Sequence, residues 1–129
     1  MRNLEQIRAD GALTYVNSGA GTRGKEGGNV LKKLPALIMG NGLMAAGAFG
    51  YAQKDGSGWK DCFAHIAKHL SRPEIGIVNE CDTLDKLMEY LAKKADSQTL
   101  KLATDETLAW LTYARRFEIP SEDDHDSND

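Results

Sequence analysis

Leu34-Pro35-Ala36-Leu37-Ile38-Met39-Gly40-Asn41-Gly42-Leu43-Met44-Ala45-Ala46-Gly47-Ala48-Phe49 is the stretch whose reading decides the fold. Just before and within it, Val30, Leu31, Leu34, Leu37 and Ile38 recur at spacings of three and four, the period of one helix face. Asn29 is placed to cap that helix. Pro35 removes a backbone donor inside it, so a kink or a restart is expected there. Gly40-Asn41-Gly42 tolerates positive φ and ends the helix. A third helix then runs from Leu43 to about Gln53, and Ala45, Ala46, Gly47, Ala48, Gly50 and Ala52 leave it little bulk. Glycine costs about 1 kcal/mol against alanine inside a helix. Gly47 and Gly50 therefore call for a compensating close approach, by another helix or by a partner's backbone.

Working outward, Leu4, Ile7, Ala9, Ala12 and Val16 form one side of a first helix, weakened by Gly11. Asn17 to Gly28 carries five glycines and is expected to be a flexible loop. Lys54 to Gly58 is a turn, and Trp59, Phe63, Ile66 and Leu70 mark a fourth helix over Trp59 to Leu70. Residues Ser71 to Asp82 contain Pro73 and Gly76 and read as a connection, with one short extended piece at Ile75 to Val78. Thr83 caps a fifth helix through Leu84, Leu87, Met88 and Leu91. The last and longest helix starts at Ser97 or Thr104, ends at Phe117, and aligns Leu100, Ala103, Thr107, Leu111 and Ala114. Strand signals are nearly absent. The expectation is an all-α fold, a compact single-domain bundle of about five to six helices over residues 1–117, followed by an acidic disordered tail over 118–129.

The chain has 129 residues, enough to bury about two-thirds of its unfolded surface. Its formal charge of −3 is unevenly placed, because Glu118, Glu122, Asp123, Asp124, Asp126 and Asp129 crowd the end with no lysine or arginine among them. Without those six, 16 basic residues face 13 acidic ones, leaving a body of about +3 that suits a polyanion. Two cysteines, Cys62 and Cys81, make no disulfide framework. Neither a signal-like apolar run at the N-terminus nor a stretch of membrane-spanning length is present, so the expected location is cytoplasmic.

Chemistry finds little support. Gly19-Ala20-Gly21-Thr22-Arg23-Gly24 matches a dinucleotide fingerprint, and with Lys25 it is one residue short of a phosphate-binding loop. That next residue is Glu26, which repels phosphate where a serine or threonine should hold magnesium, and no parallel sheet follows. Cys62, His65 and His69 fall at i, i+3 and i+7 of the fourth helix with Cys81 twelve residues on, so a zinc-stabilised helical regulatory module is an alternative reading. No serine sits in a nucleophile elbow. The acidic pairs Asp82/Asp85 and Asp105/Glu106 read as helix N-terminal carboxylates that favour the helix dipole. An enzyme is not expected, and neither is a cofactor. Arg23, Lys25, Lys32, Lys33, Arg115 and Arg116 remain as cations suited to sequence-independent contact with a phosphate backbone.

Two segments carry a family resemblance. Lys33-Leu34-Pro35-Ala36-Leu37-Ile38 with Asn41-Gly42-Leu43, and Ala103-Thr104-Asp105-Glu106-Thr107-Leu108-Ala109-Trp110-Leu111 with Arg115-Arg116-Phe117, resemble the signatures of the small subunit of type III-B CRISPR effector complexes, the Cmr family. Gly47, Gly50, the glycine loop and the acidic tail depart from that pattern. The resemblance implies a non-catalytic helical subunit that stacks in several copies beside guide-RNA-binding backbone subunits. It also implies that such a subunit lines the groove where target RNA pairs with the guide, with no membrane and no small-molecule substrate.

Overall fold

The computed structural model describes residues 2–20 and 26–118. Six α-helices occur in it: α1 (Leu4–Tyr15), α2 (Glu26–Asn41), α3 (Leu43–Tyr51), α4 (Trp59–Ser71), α5 (Leu84–Lys93) and α6 (Ser97–Phe117). A π-helical turn, Val16–Ala20, prolongs α1. No strand occurs among the described residues, and no described helix is long and apolar enough to cross a membrane. The all-α expectation is met.

Local chemistry starts α1, α5 and α6 where a side chain can satisfy their first donors. Asn3 caps α1 in a reciprocal arrangement with Gln6, Thr83 accepts from the Lys86 N–H at the start of α5, and Asp96 accepts from the Thr99 N–H at the start of α6. The corner between α2 and α3 is set by Gly42, whose φ of 87° suits glycine alone. The side-chain partner that Gly42 lacks comes from across the bundle. Thr104 of α6 accepts from the Leu43 N–H at 3.3 Å while donating to the Leu100 carbonyl at 2.8 Å.

Several expectations need correcting. The glycine-rich segment 17–28 is not wholly loop: residues 17–20 lie in the π-helical turn and 26–28 in α2, while 21–25 lie outside the described residues. Glycine's helix penalty of about 1 kcal/mol is small beside cooperative helix growth, and at a helix end it is smaller still. Asn29 therefore lies inside α2 rather than capping it. The expected extended piece at 75–78 is a bent connection whose Ile77 and Val78 N–H groups both donate to the Leu70 carbonyl. Leu4 is exposed, and Tyr15 at the other end of α1 joins Ile7, Ala12 and Val16 as a buried residue. The tail beyond Glu118 lies outside the described residues.

The core gathers the expected stripes. Leu31, Leu34 and Ile38 of α2, Phe63, Ile66 and Leu70 of α4, Leu87 and Leu91 of α5, and Trp110 and Leu111 of α6 are all fully buried with Tyr15. At about 25 cal/mol per Å² of apolar surface, each such side chain contributes about 1.5–3 kcal/mol. The small face of α3 faces this core. A Cβ on Gly50 would lie 2.8 Å from Phe63 Cε2, and one on Gly47 would lie 2.5 Å from Met88 Sδ. The close approach that both glycines require thus comes from side chains of α4 and α5, not from a backbone.

One charge is buried among these apolar groups. Glu106 of α6, 8% exposed, accepts two hydrogen bonds from the Arg8 guanidinium of α1 at 2.7 and 2.8 Å. His69 Nε2 of α4 lies 2.9 Å from the same carboxylate. Burial alone would raise this carboxyl, but Arg8 and His69 outweigh it and hold the group at about 2.

Two outcomes follow from this packing. Gly50→Ala, set against a rigid ring, should lower the thermal midpoint by a few degrees, since overpacking costs about 1–3 kcal/mol and outweighs the helix gain. Gly47→Ala should stay within about 1 kcal/mol of the parent, because the Met88 thioether can move; paired thermal melts compare them. The depressed Glu106 value makes its stabilisation fully present above about pH 4.5 and lost as pH falls toward 2. Urea unfolding across that window should therefore show a shallower pH slope in Glu106→Gln than in the parent.

Candidate nucleic-acid interface

The junction of α2 and α6 begins with a defect. In a helix the N–H of residue i donates to the carbonyl of residue i−4, so the Leu31 carbonyl is owed a bond by residue 35. That residue is Pro35, which has no N–H, and yet α2 runs without interruption from Glu26 to Asn41. The missing donor arrives from the other helix. Arg115 Nη1 donates to the Leu31 carbonyl at 3.2 Å. A guanidinium carries five N–H groups, so four remain after this bond.

That one hydrogen bond fixes Arg115 of α6 on the α2 backbone. Arg115 is anchored against the residue immediately before Lys32 and Lys33, both of which are exposed on α2. Neither lysine forms an ion pair with another described residue. Arg116 is exposed beside Arg115 on the last turn of α6. Tyr113 and Phe117, half-buried on the same helix, stack with ring centroids 6.2 Å apart, and the Tyr113 hydroxyl donates to Glu5 at 2.6 Å. Arg23 and Lys25 lie outside the described residues. Of the six cations singled out from sequence, four therefore have a described position: Lys32 and Lys33 follow Leu31 on α2, and Arg115, which donates to the Leu31 carbonyl, precedes Arg116 on α6.

The residues that suggested zinc do not converge. Cys62 packs in the core, where burial pushes its thiol up to about 12. His69 is committed to Glu106, and Cys81 Sγ lies 3.4 Å from the Asn79 carbonyl and 3.6 Å from that of Lys86. Among the described residues no group of three or more His, Cys, Asp or Glu is arranged to hold a metal ion. The zinc alternative, with Cys62, His65, His69 and Cys81 as ligands, is thus corrected: Cys62 packs in the core, His69 pairs with Glu106, and Cys81 lies in the connection between α4 and α5.

Sequence reasoning also misplaces Glu106 as a helix N-terminal carboxylate, whereas α6 begins nine residues earlier at Ser97. The usable signal is its spacing. Glu106 lies three residues from Ala103 and four from Trp110, on the stripe that the apolar residues of α6 define. A carboxylate on a buried stripe needs a partner from another element.

The family model for CRISPR-associated protein (Cas_Cmr5) matches residues 4–118 of the chain. No curated protein and no solved structure matches it.

A double-mutant cycle tests the origin of the cationic junction. Arg115→Ala should cost about 1–2 kcal/mol, because it strands the Leu31 carbonyl. In a Pro35→Ala background, where residue 35 regains its N–H, the same change should cost less than about 0.5 kcal/mol. Chemical denaturation of the four proteins measures the coupling; purely additive effects would show that Arg115 does not replace the missing donor.

Proposed function

From its membership of the CRISPR-associated Cas_Cmr5 family of small type III-B subunits, we propose that this chain is a non-catalytic structural subunit that helps hold target RNA. Family membership places it in a CRISPR effector complex with other subunits of that kind. In the proposed arrangement it stacks beside guide-RNA-binding backbone subunits and further copies of itself, in the cytoplasm.

The observation that carries the RNA reading is an arginine anchored on α2 at the residue next in sequence to two exposed lysines, unpaired among the described residues. Arg115 is held on the α2 backbone beside Lys32 and Lys33, which are free of ion pairs with other described residues. Cations so placed meet phosphates by charge, which carries no base identity. Sequence-independent contact is what a guide-directed complex needs, since base pairing supplies the specificity.

The titratable groups also favour a structural role. Nucleophilic catalysis requires a lowered thiol pKa or a base poised near neutrality. Here the Cys62 thiol is pushed the other way, and Glu106 is fixed as an anion by Arg8. The groups with the largest shifts support the fold.

Charge reversal of Lys32 and Lys33 to glutamate in the assembled complex should weaken target-RNA binding. The slope of log K against log salt should fall by about 1–2, roughly one for each phosphate that is no longer neutralised. Unchanged affinity together with an unchanged slope would remove this junction from the RNA interface.

A further inference from the structure

The exposed lysines of α2 have no counter-charge near them in sequence. From Gly27 to Gln53 no aspartate or glutamate occurs, and Lys32 and Lys33 lie side by side within that run. Both are more than a turn from either end of α2, so the helix dipole does not explain them. Neither forms an ion pair with another described residue. The opposite block of charge comes after α6. Residues 119–129 carry Glu122, Asp123, Asp124, Asp126 and Asp129 and no lysine or arginine. They lie outside the described residues.

The point where this segment starts is set by the structure. Arg115 and Arg116 occupy the last turn of α6, and Glu118, with ψ at 140°, has already left the helix. Arg115 Nη1 is fixed on the Leu31 carbonyl at 3.2 Å, and the next two residues of α2 are Lys32 and Lys33. An extended chain spans at most about 3.6 Å per residue, so Glu122 can lie up to about 14 Å from Glu118 and Asp126 up to about 29 Å. A helical turn rises only about 5.4 Å. The acids can therefore reach the arginines one turn back, and the α2 lysines next to the anchored guanidinium, without crossing the bundle.

Single ion pairs at a surface are weak, so occupancy here depends on several acids meeting several cations at once. The covalent tether helps, because a short linker holds its end at an effective concentration in the millimolar range. Another copy at micromolar concentration competes poorly with that. We propose that residues 119–129 dock in cis on the exposed cations of α2 and α6, with Glu122, Asp123, Asp124 and Asp126 facing Lys32, Lys33, Arg115 and Arg116. The docking does not rest on the RNA reading. Joined to that reading, it makes the acidic segment a built-in competitor for the cations that meet phosphates.

The test uses the full chain alone, with a nitroxide on Ser127→Cys and amide NMR as readout. Cys62 and Cys81 are both buried, so the label reports on position 127. At about 50 mM salt the label should broaden the amides of Lys32 and Lys33 more than those of α5, which packs on α3 and α4. The effect should fade near 1 M salt, where the Debye length is about 3 Å. Glu122→Gln, Asp123→Asn, Asp124→Asn and Asp126→Asn together should remove most of it. Equal broadening of α2 and α5, or broadening that survives this neutralisation, overturns the proposal. So does a label on one chain that broadens α2 of a second, isotope-labelled chain, since the occupant is then another copy. If the segment is docked in about 70–90% of molecules, neutralising it should tighten oligouridylate binding about three- to tenfold at low salt. Docking without that gain upholds the proposal and counts against these cations as an RNA site, so the two failures are read separately.

Discussion

A carboxylate placed where apolar side chains belong is the constraint around which this bundle is organised. Leaving Glu106 of α6 charged and alone in the interior would cost several kcal/mol, so the chain supplies a guanidinium from α1 and an imidazole from α4. The pairing ties together three helices that are distant in sequence. It also seats the His69 ring beside Trp110, with centroids 6.3 Å apart. A Cβ on Gly11 would lie 3.2 Å from Trp110 Nε1, so the glycine lets α1 approach α6 closely there.

At the C-terminal end of α6 a different deficit is repaired in the same manner. Pro35 withholds a donor from the Leu31 carbonyl, and Arg115 restores it from outside the helix. A proline tolerated inside a helix is thus a tertiary attachment point for α6. The two segments that carry the family resemblance touch again where Thr104 accepts from the Leu43 N–H. Their residues are engaged with one another, so the resemblance reflects a mechanical unit of the fold. The cationic junction is a by-product of that unit, since anchoring Arg115 on α2 brings it to the residue preceding Lys32.

Helix α3 divides its small residues between two uses. Gly47 and Gly50 admit the side chains of Met88, Phe63 and Trp59, so they serve the interior. Ala45, Ala48 and Ala52 stay outside the buried core, as do Phe49 and Tyr51. The glycines therefore act as sockets for large core side chains. That use explains why a helix so poor in bulk can still cover a core containing Trp59 and Phe63.

The sequence by itself determined the helical class, the corner at Gly42, the cap at Thr83, and the stripes of α4 and α5. Each depends on residues a few positions apart, where spacing and backbone preference act directly. Lys32, Lys33, Arg115 and Arg116 were also legible as cations, because charge is written in the side chain itself. What only the tertiary structure decided was partnership: Arg8 and His69 for Glu106, Arg115 for Pro35's missing bond, and Phe63 for Gly50. Those pairs span 13 to 98 residues along the chain. No local period encodes them, since each arises when a buried polar group or a gap must be satisfied by whichever element packs nearest.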